Sequence, residues 1–210
     1  MRLIGMLDSP YVRRVAVSMH LMGLTYTHEP VSVFRQFEHF ASLNPVVKAP
    51  SLITAQGVVL MESTLILDYL DRLAEPSLRL APEDLDQFLH AQRVIGLALM
   101  ACEKSVQIVY ELRLRPEDKQ HAPWLDRVKG QLAAAYALLE AELPSNGGWL
   151  YGARPLQADV TAAVAWRFTQ FVEAEAVVTT PTPRLRSLSE RAEALAAFAA
   201  CPLEGAAARA

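Results

Sequence analysis

Over residues 1–75 the apolar positions alternate between short continuous runs and helical spacing. Arg2-Leu3-Ile4-Gly5-Met6 reads as a short buried strand. Val12, Val15, Ala16, Met19 and Met22 then recur every three or four residues, which predicts a helix over 10–23 stopped by Gly23. Extended character returns over 26–33, where Pro30 marks an edge or irregular strand. Residues 51–54 and 58–61 flank Ala55-Gln56-Gly57 as a β-hairpin, with Gly57 supplying the turn dihedral. A second helix is predicted from near Ser63, capped by that residue, burying Ile66, Tyr69, Leu70 and Leu73 and ending before Pro76. The resulting order is β-α-β, an irregular stretch, then β-β-α: a mixed sheet with helices packed on it.

From residue 83 the period is helical throughout. Residues 83–114 form a proline-free helical run whose weak point is Gly96. Leu125, Val128, Leu132, Ala135, Tyr136, Leu139 and Leu143 make one stripe over 124–143, and residues 158–172 are apolar nearly all round, as expected of a central buried helix. A last helix is predicted over roughly 184–199, carrying Leu185, Leu188, Ala192 and Leu195, with a loosely ordered alanine-rich tail after Cys201. Prolines 76 and 82 mark a linker. The expected class is therefore α/β plus all-α, with domains at 1–75 and 83–210 joined by a linker at 76–82.

Composition narrows the function classes. With 52% hydrophobic residues, 20% charged and a net charge of −3, the chain has ample core material, and no Lys/Arg stripe suited to nucleic acid. No apolar stretch approaches the roughly 20 residues of a membrane span, and the N-terminal run, broken by Asp8 and Pro10, is too short for a signal peptide. Cys102 and Cys201 read as free thiols, and the five histidines show no metal-ligand spacing. A cytoplasmic enzyme or binding protein with no metal is the expectation.

Three short stretches could carry chemistry. Ser9 followed by Pro10 is an N-cap pair; the same geometry places a hydroxyl in the positive field of a helix N-terminus, where a thiolate bound from solution would be favoured. A disulfide exchange cycle is excluded, because neither Ser9 nor Val12 carries sulfur. Pro50, directly before a strand, reads either as a strand-initiating proline or as a cis proline that leaves the Ala49 backbone facing outward for a peptide-like ligand. Ser63, at a helix start, reads as a cap or as part of a carboxylate site.

In this order and spacing, Ser9-Pro10-Tyr11-Val12-Arg13-Arg14, Asn44-Pro45, Ala49-Pro50-Ser51-Leu52 and Glu62-Ser63 resemble the glutathione half of the cytosolic glutathione S-transferases, in a bacterial, serine-type form. Leu156-Gln157-Ala158-Asp159 and the apolar run after it resemble the start of that family's central helix. The resemblance implies a thioredoxin-like N-terminal domain, an all-helical C-terminal domain and a homodimer. Glutathione would be the co-substrate, with no permanently bound cofactor, and a small electrophile the second substrate. It assigns Ser9 to thiolate stabilisation, Ala49 to the cysteinyl backbone, Pro50 to the family's cis proline, and Glu62 and Ser63 to the γ-glutamyl group. Lys48 falls to the glycyl carboxylate or to solvent. Tyr11 is the alternative activating hydroxyl, with packing as its competing reading. Met6, Leu7, Met100, Val106 and Tyr110 are the candidates for an electrophile surface.

Three departures shape the expectations. Val47 stands where the family usually has Gly, and a β-branched residue tolerates positive φ poorly, so a different loop path is expected there. Ala49 stands where the family usually has Val. Leu156 replaces the Ser or Thr cap three residues before Asp159, a loss of about 0.5–2 kcal/mol that the Asp159 charge partly offsets. The resemblance leaves glutathione-dependent isomerase, dehalogenase and peroxidase chemistry open, as well as a non-catalytic binding protein like the stringent-starvation proteins.

Overall fold

The computed structural model of the chain describes residues 1–172 and 181–203; the alanine-rich tail lies outside them. The chain divides into two compact units. The first comprises Met1–Leu80 and the segment from Ala194 onward, and the second Ala81–Glu193. The return of the C-terminal segment to the first unit is a feature that a linear division of the sequence does not contain.

In the first unit β1 (Arg2–Ile4) leads into α1 (Pro10–Leu21) and β2 (Thr27–Glu29), which lies parallel to β1 at the sheet edge. After α2 (Phe37–Leu43), β3 (Ser51–Ile53) and β4 (Val59–Met61) form the predicted hairpin, with Gly57 at φ +81°. The sheet order is β2-β1-β3-β4, with β3 antiparallel to β1, and α3 (Ser63–Leu73) closes the unit. Leu3, Ile4 and Leu52 from the sheet and Val12, Val15, Ala16 and Met19 from α1 are all buried. Burial of the Leu, Ile, Val and Met side chains among them, at about 1.5–3 kcal/mol each, holds the unit together.

Two expectations need correction here. The stretch between β2 and β3 is not irregular throughout, because α2 is a helix. It escapes a periodicity test because Phe40 is its one fully buried residue, while Phe37 is 52% exposed. Leu73 lies on the outer side of α3 at 49% exposure rather than in the core with Ile66 and Leu70.

The second unit contains α4 (Leu85–Val109), α5 (Ala122–Glu142), α6 (Gln157–Val172) and α7 (Pro183–Glu193). α4 ends in a π-helical turn, Tyr110–Leu114, so the predicted run of 83–114 is not one uniform helix. α6 is buried nearly all round, as its composition requires. Asp159 accepts from the backbone N–H groups of Leu156 at 3.0 Å and Leu150 at 3.0 Å, tying the α6 N-terminus to the preceding loop. The predicted last helix is two helices. Extended backbone at Leu195 separates α7 from α8 (Ala196–Ala199), whose Phe198 is buried. Neither Cys102 nor Cys201 is in a disulfide, and both are buried.

Candidate functional site

Every residue that the sequence singled out for ligand chemistry on the N-terminal side lies in the first unit. Ser9 is the N-cap of α1: its backbone is extended, and its Oγ accepts from the Val12 N–H at 3.4 Å. That bond occupies an acceptor lone pair and leaves the hydroxyl hydrogen free to turn outward. Pro10 follows at the first helical position, where its missing N–H costs nothing. Asp8, immediately before, has its carboxyl pushed up by partial loss of hydration, an effect opposed by the positive charge of Arg35.

The Ala49–Pro50 peptide bond is cis. Ala49 lies just outside the ladder, which begins at Ser51. Val47 holds φ +53°, so the loop takes the left-handed path despite its β-branched side chain. The expectation of a different path is overturned. The reason is tertiary: Val47 packs against the cluster of Ile4, Val31 and Phe40, and its N–H donates to the Asn44 carbonyl at 2.9 Å. Lys48 is exposed, with its Nζ 5.9 Å from the centre of the Tyr11 ring. Tyr11 therefore offers its ring to a cation.

The third piece also differs from its sequence reading. Ser63 is the first residue of α3 and does not cap it. Glu62 is the cap. At φ +70° its carboxylate accepts from Thr64 N–H at 3.1 Å and Leu65 N–H at 3.2 Å. A carboxylate satisfies two amides where a serine hydroxyl would satisfy one, and the positive end of the helix favours its charge. The Ser63 hydroxyl is left to accept from Arg14 Nη1 at 3.1 Å, and Arg14 also reaches Thr64 Oγ1 at 3.4 Å. Val47 and Glu62 are the two non-glycine residues with positive φ among those described, and both belong to this set. Sparsely populated backbone concentrated at one site is a mark of function.

Sequence reasoning gave no role to four residues. Arg13 and Arg14 are adjacent, and each is only 1% exposed. Arg14 supports Ser63, while Arg13 Nε donates to the Cys201 carbonyl at 2.8 Å and stacks over Phe198 at 5.6 Å. Together they anchor α1 on both sides, and the usable signal was two cations in a helix whose other positions are almost all apolar. Asn44, in the loop before Pro50, and Ser51, the first residue of β3, are buried polar residues. Among the electrophile candidates, Met100 and Tyr110 are exposed on the second unit and Val106 is half-buried. Met6 is half-buried and Leu7 buried in the first unit. Among the described residues no group of three or more His, Cys, Asp or Glu side chains is placed to hold a metal ion, and no helix is long and apolar enough to cross a membrane.

Comparison with known proteins bears on this arrangement. Residues 3–78 match the family model of the glutathione S-transferase N-terminal domain, and residues 122–201 that of the C-terminal domain. The maleylacetoacetate isomerase of Pseudomonas aeruginosa is 29% identical over 88% of this chain and 87% of its own length. A glutathione S-transferase from Methylobacterium radiotolerans, solved with glutathione sulfonate, superposes with a TM-score of 0.85 at 29% identity, covering 95% of this chain and 93% of that one. A glutathione transferase family member from Pseudomonas fluorescens, solved with bound glutathione, superposes at 0.82 with 27% identity, covering 95% and 97%.

Proposed function

Because the chain belongs to the glutathione S-transferase family, we propose that it binds glutathione in its first unit and stabilises the thiolate for attack on a small hydrophobic electrophile. The observation that carries this is the geometry of Ser9. Its Oγ is fixed by the Val12 N–H at the start of α1, and its hydrogen is free to donate to sulfur. A hydroxyl donor combined with the positive helix end stabilises the anion more than the thiol. Each unit of thiol pKa lowered in this way corresponds to about 1.4 kcal/mol. The thiol proton passes to solvent, the thiolate forms a carbon–sulfur bond, and the displaced group leaves with its electron pair. Where the acceptor is an activated alkene, solvent instead supplies a proton to carbon.

The remaining assignments follow the chemistry of each group. Ala49, beside the cis proline and outside the ladder, would pair its backbone with the cysteinyl residue. Glu62, an anion, suits the γ-glutamyl ammonium. Ser63, backed by the buried Arg14 guanidinium, suits the γ-glutamyl carboxylate. Lys48 would meet the glycyl carboxylate on leaving the Tyr11 ring. Ser9, the N-cap of α1, is the activating hydroxyl in this reading, and Tyr11 is the alternative.

Functionally, residues 1–75 would bind glutathione, and the helical part from residue 83 would select the electrophile. Exposed apolar side chains on β4 and α3 (Met61, Leu65) and on α4 (Leu85, Leu89) support a homodimer, which light scattering would test. The cytoplasm, where glutathione is plentiful, is the location this reading requires.

A second reading has a specific observation in its favour. The isomerase relative spans 88% of the chain, which favours reversible thiolate addition to a conjugated double bond, rotation about the resulting single bond, and elimination that regenerates glutathione. Glutathione consumption separates the two. Both share one test: Ser9→Ala should lower turnover at least tenfold while glutathione affinity, measured by calorimetric titration, changes by less than about threefold. Unchanged turnover would remove Ser9 from the mechanism. Failure of the folded wild-type protein to bind glutathione by two methods would replace both readings with a non-catalytic scaffold.

A further inference from the structure

We infer that Asn44 is a positioning residue for glutathione, acting by holding Val47 in its left-handed conformation and so aiming the Lys48–Ala49 backbone. The inference rests on the glutathione reading above. Asn44 is 4% exposed and uses both ends of its side chain. Its Oδ1 accepts from Val46 N–H at 3.1 Å; its Nδ2 donates to Ser51 Oγ at 2.8 Å and, more weakly, toward Met61 Sδ at 3.7 Å on β4. Ser51 Oγ in turn donates to the Lys48 carbonyl at 2.7 Å. The Asn44 backbone completes the clamp, its N–H donating to Phe40 O at 2.9 Å at the end of α2 and its carbonyl accepting from Val47 N–H at 2.9 Å.

The loop from 44 to 51 is therefore closed by one carboxamide at its base. Only Asn fits both demands in this space, because Asp has no donor for Ser51 and Leu or Ala has neither function. The clamp is needed because valine avoids positive φ; without it Val47 would relax to extended backbone and carry Lys48 and Ala49 away from the ligand. Glycine has no such bias. The two positions are thus coupled: removing the side chain of Val47 should make Asn44 dispensable for binding.

The experiment is a double-mutant cycle read by calorimetric glutathione affinity. Losing the two stronger side-chain bonds, Asn44→Ala should weaken binding about tenfold. Val47→Gly should stay within about threefold of wild type, and the double variant should return to within about threefold of Val47→Gly. Unchanged affinity in Asn44→Ala, or a double variant as weak as Asn44→Ala, overturns the inference. If Asn44→Ala does not fold, Asn44→Asp, which replaces the donor to Ser51 by a carboxylate oxygen while keeping the acceptor for Val46 N–H, is read against the same two outcomes.

A ligand-free readout separates this inference from the functional one. Amide hydrogen exchange at Val47 should accelerate at least about tenfold in Asn44→Ala, while exchange in the core strand β1 is unchanged. If wild type binds no glutathione, the functional reading falls. The clamp is then judged by Val47 exchange alone, faster exchange supporting it and unchanged exchange overturning it.

Discussion

Glu62 can be tested for stability and binding at once, because its side chain and its backbone pull in opposite directions. Its carboxylate caps α3 through Thr64 and Leu65, while its φ of +70° is one that a residue with a Cβ adopts at a cost. Glu62→Ala keeps the unfavourable backbone and loses the cap, at a cost of about 1–2 kcal/mol. Glu62→Gly loses the same cap but regains about 1 kcal/mol of backbone strain, so it should be the more stable of the two variants. For a chain of this size about 2–4 °C of melting temperature accompanies each kcal/mol. Glu62→Ala should therefore melt about 3–6 °C below wild type, and Glu62→Gly about 2–4 °C above Glu62→Ala. Calorimetric titration should show no such rescue. Both variants lack the carboxylate proposed for the γ-glutamyl ammonium, and both should lose about tenfold or more in glutathione affinity. Equal melting temperatures for Ala and Gly would refute the backbone argument, and wild-type affinity in either variant would refute the γ-glutamyl assignment.

Asp159→Ala removes the acceptor for two part-buried amides and should lower the melting temperature by about 5–10 °C, from a loss of about 2–3 kcal/mol; a change under 2 °C would show the α6 N-terminus to be held by other means. Glu142, held below the usual 4.5 by its bond to Arg93 and then by His90, contributes stability above that value that is lost as the pH falls through its folded-state pKa. Glu142→Gln should accordingly show a shallower loss of melting temperature between pH 5 and about pH 3 than wild type, and parallel curves would contradict the assignment. Asp159 has the opposite sign, because burial raises its carboxyl; its ionisation makes stability fall as the pH rises from the usual 3.8 through its folded-state value. Asp8→Asn removes a negative charge beside Ser9 and should lower the pH midpoint of kcat/KM by about half a unit, whereas an upward shift would argue against a thiolate at that position.

What could be read from the sequence, and what could not, divides along one physical line. Elements long enough to repeat, such as α1 and α6, declare themselves through a sustained apolar run at helical spacing, and the β3–β4 hairpin through the glycine at its turn. α2 does not, since a seven-residue helix with one buried phenylalanine has too few turns to show a period. The place of Ser9 as a cap at a helix start was equally legible, because the Ser-Pro pair marks it locally. Glu62 and Ser63 were legible as a pair, but not in their division of labour, because which of two neighbours caps a helix depends on a backbone dihedral that no residue type dictates. The buried cations were the least legible. A guanidinium at 1% exposure is stable only when distant groups meet it, and Arg13's carbonyl partner lies 188 residues away. Val47 makes the same point in reverse. Its local preference argued against the path it takes, and the preference lost to packing against Phe40 and to the hydrogen bond its N–H donates to the Asn44 carbonyl. A residue held against its own preference depends on its neighbours, and this is why the loop from 44 to 51 should prove more sensitive to substitution at Asn44 than at Val47 itself.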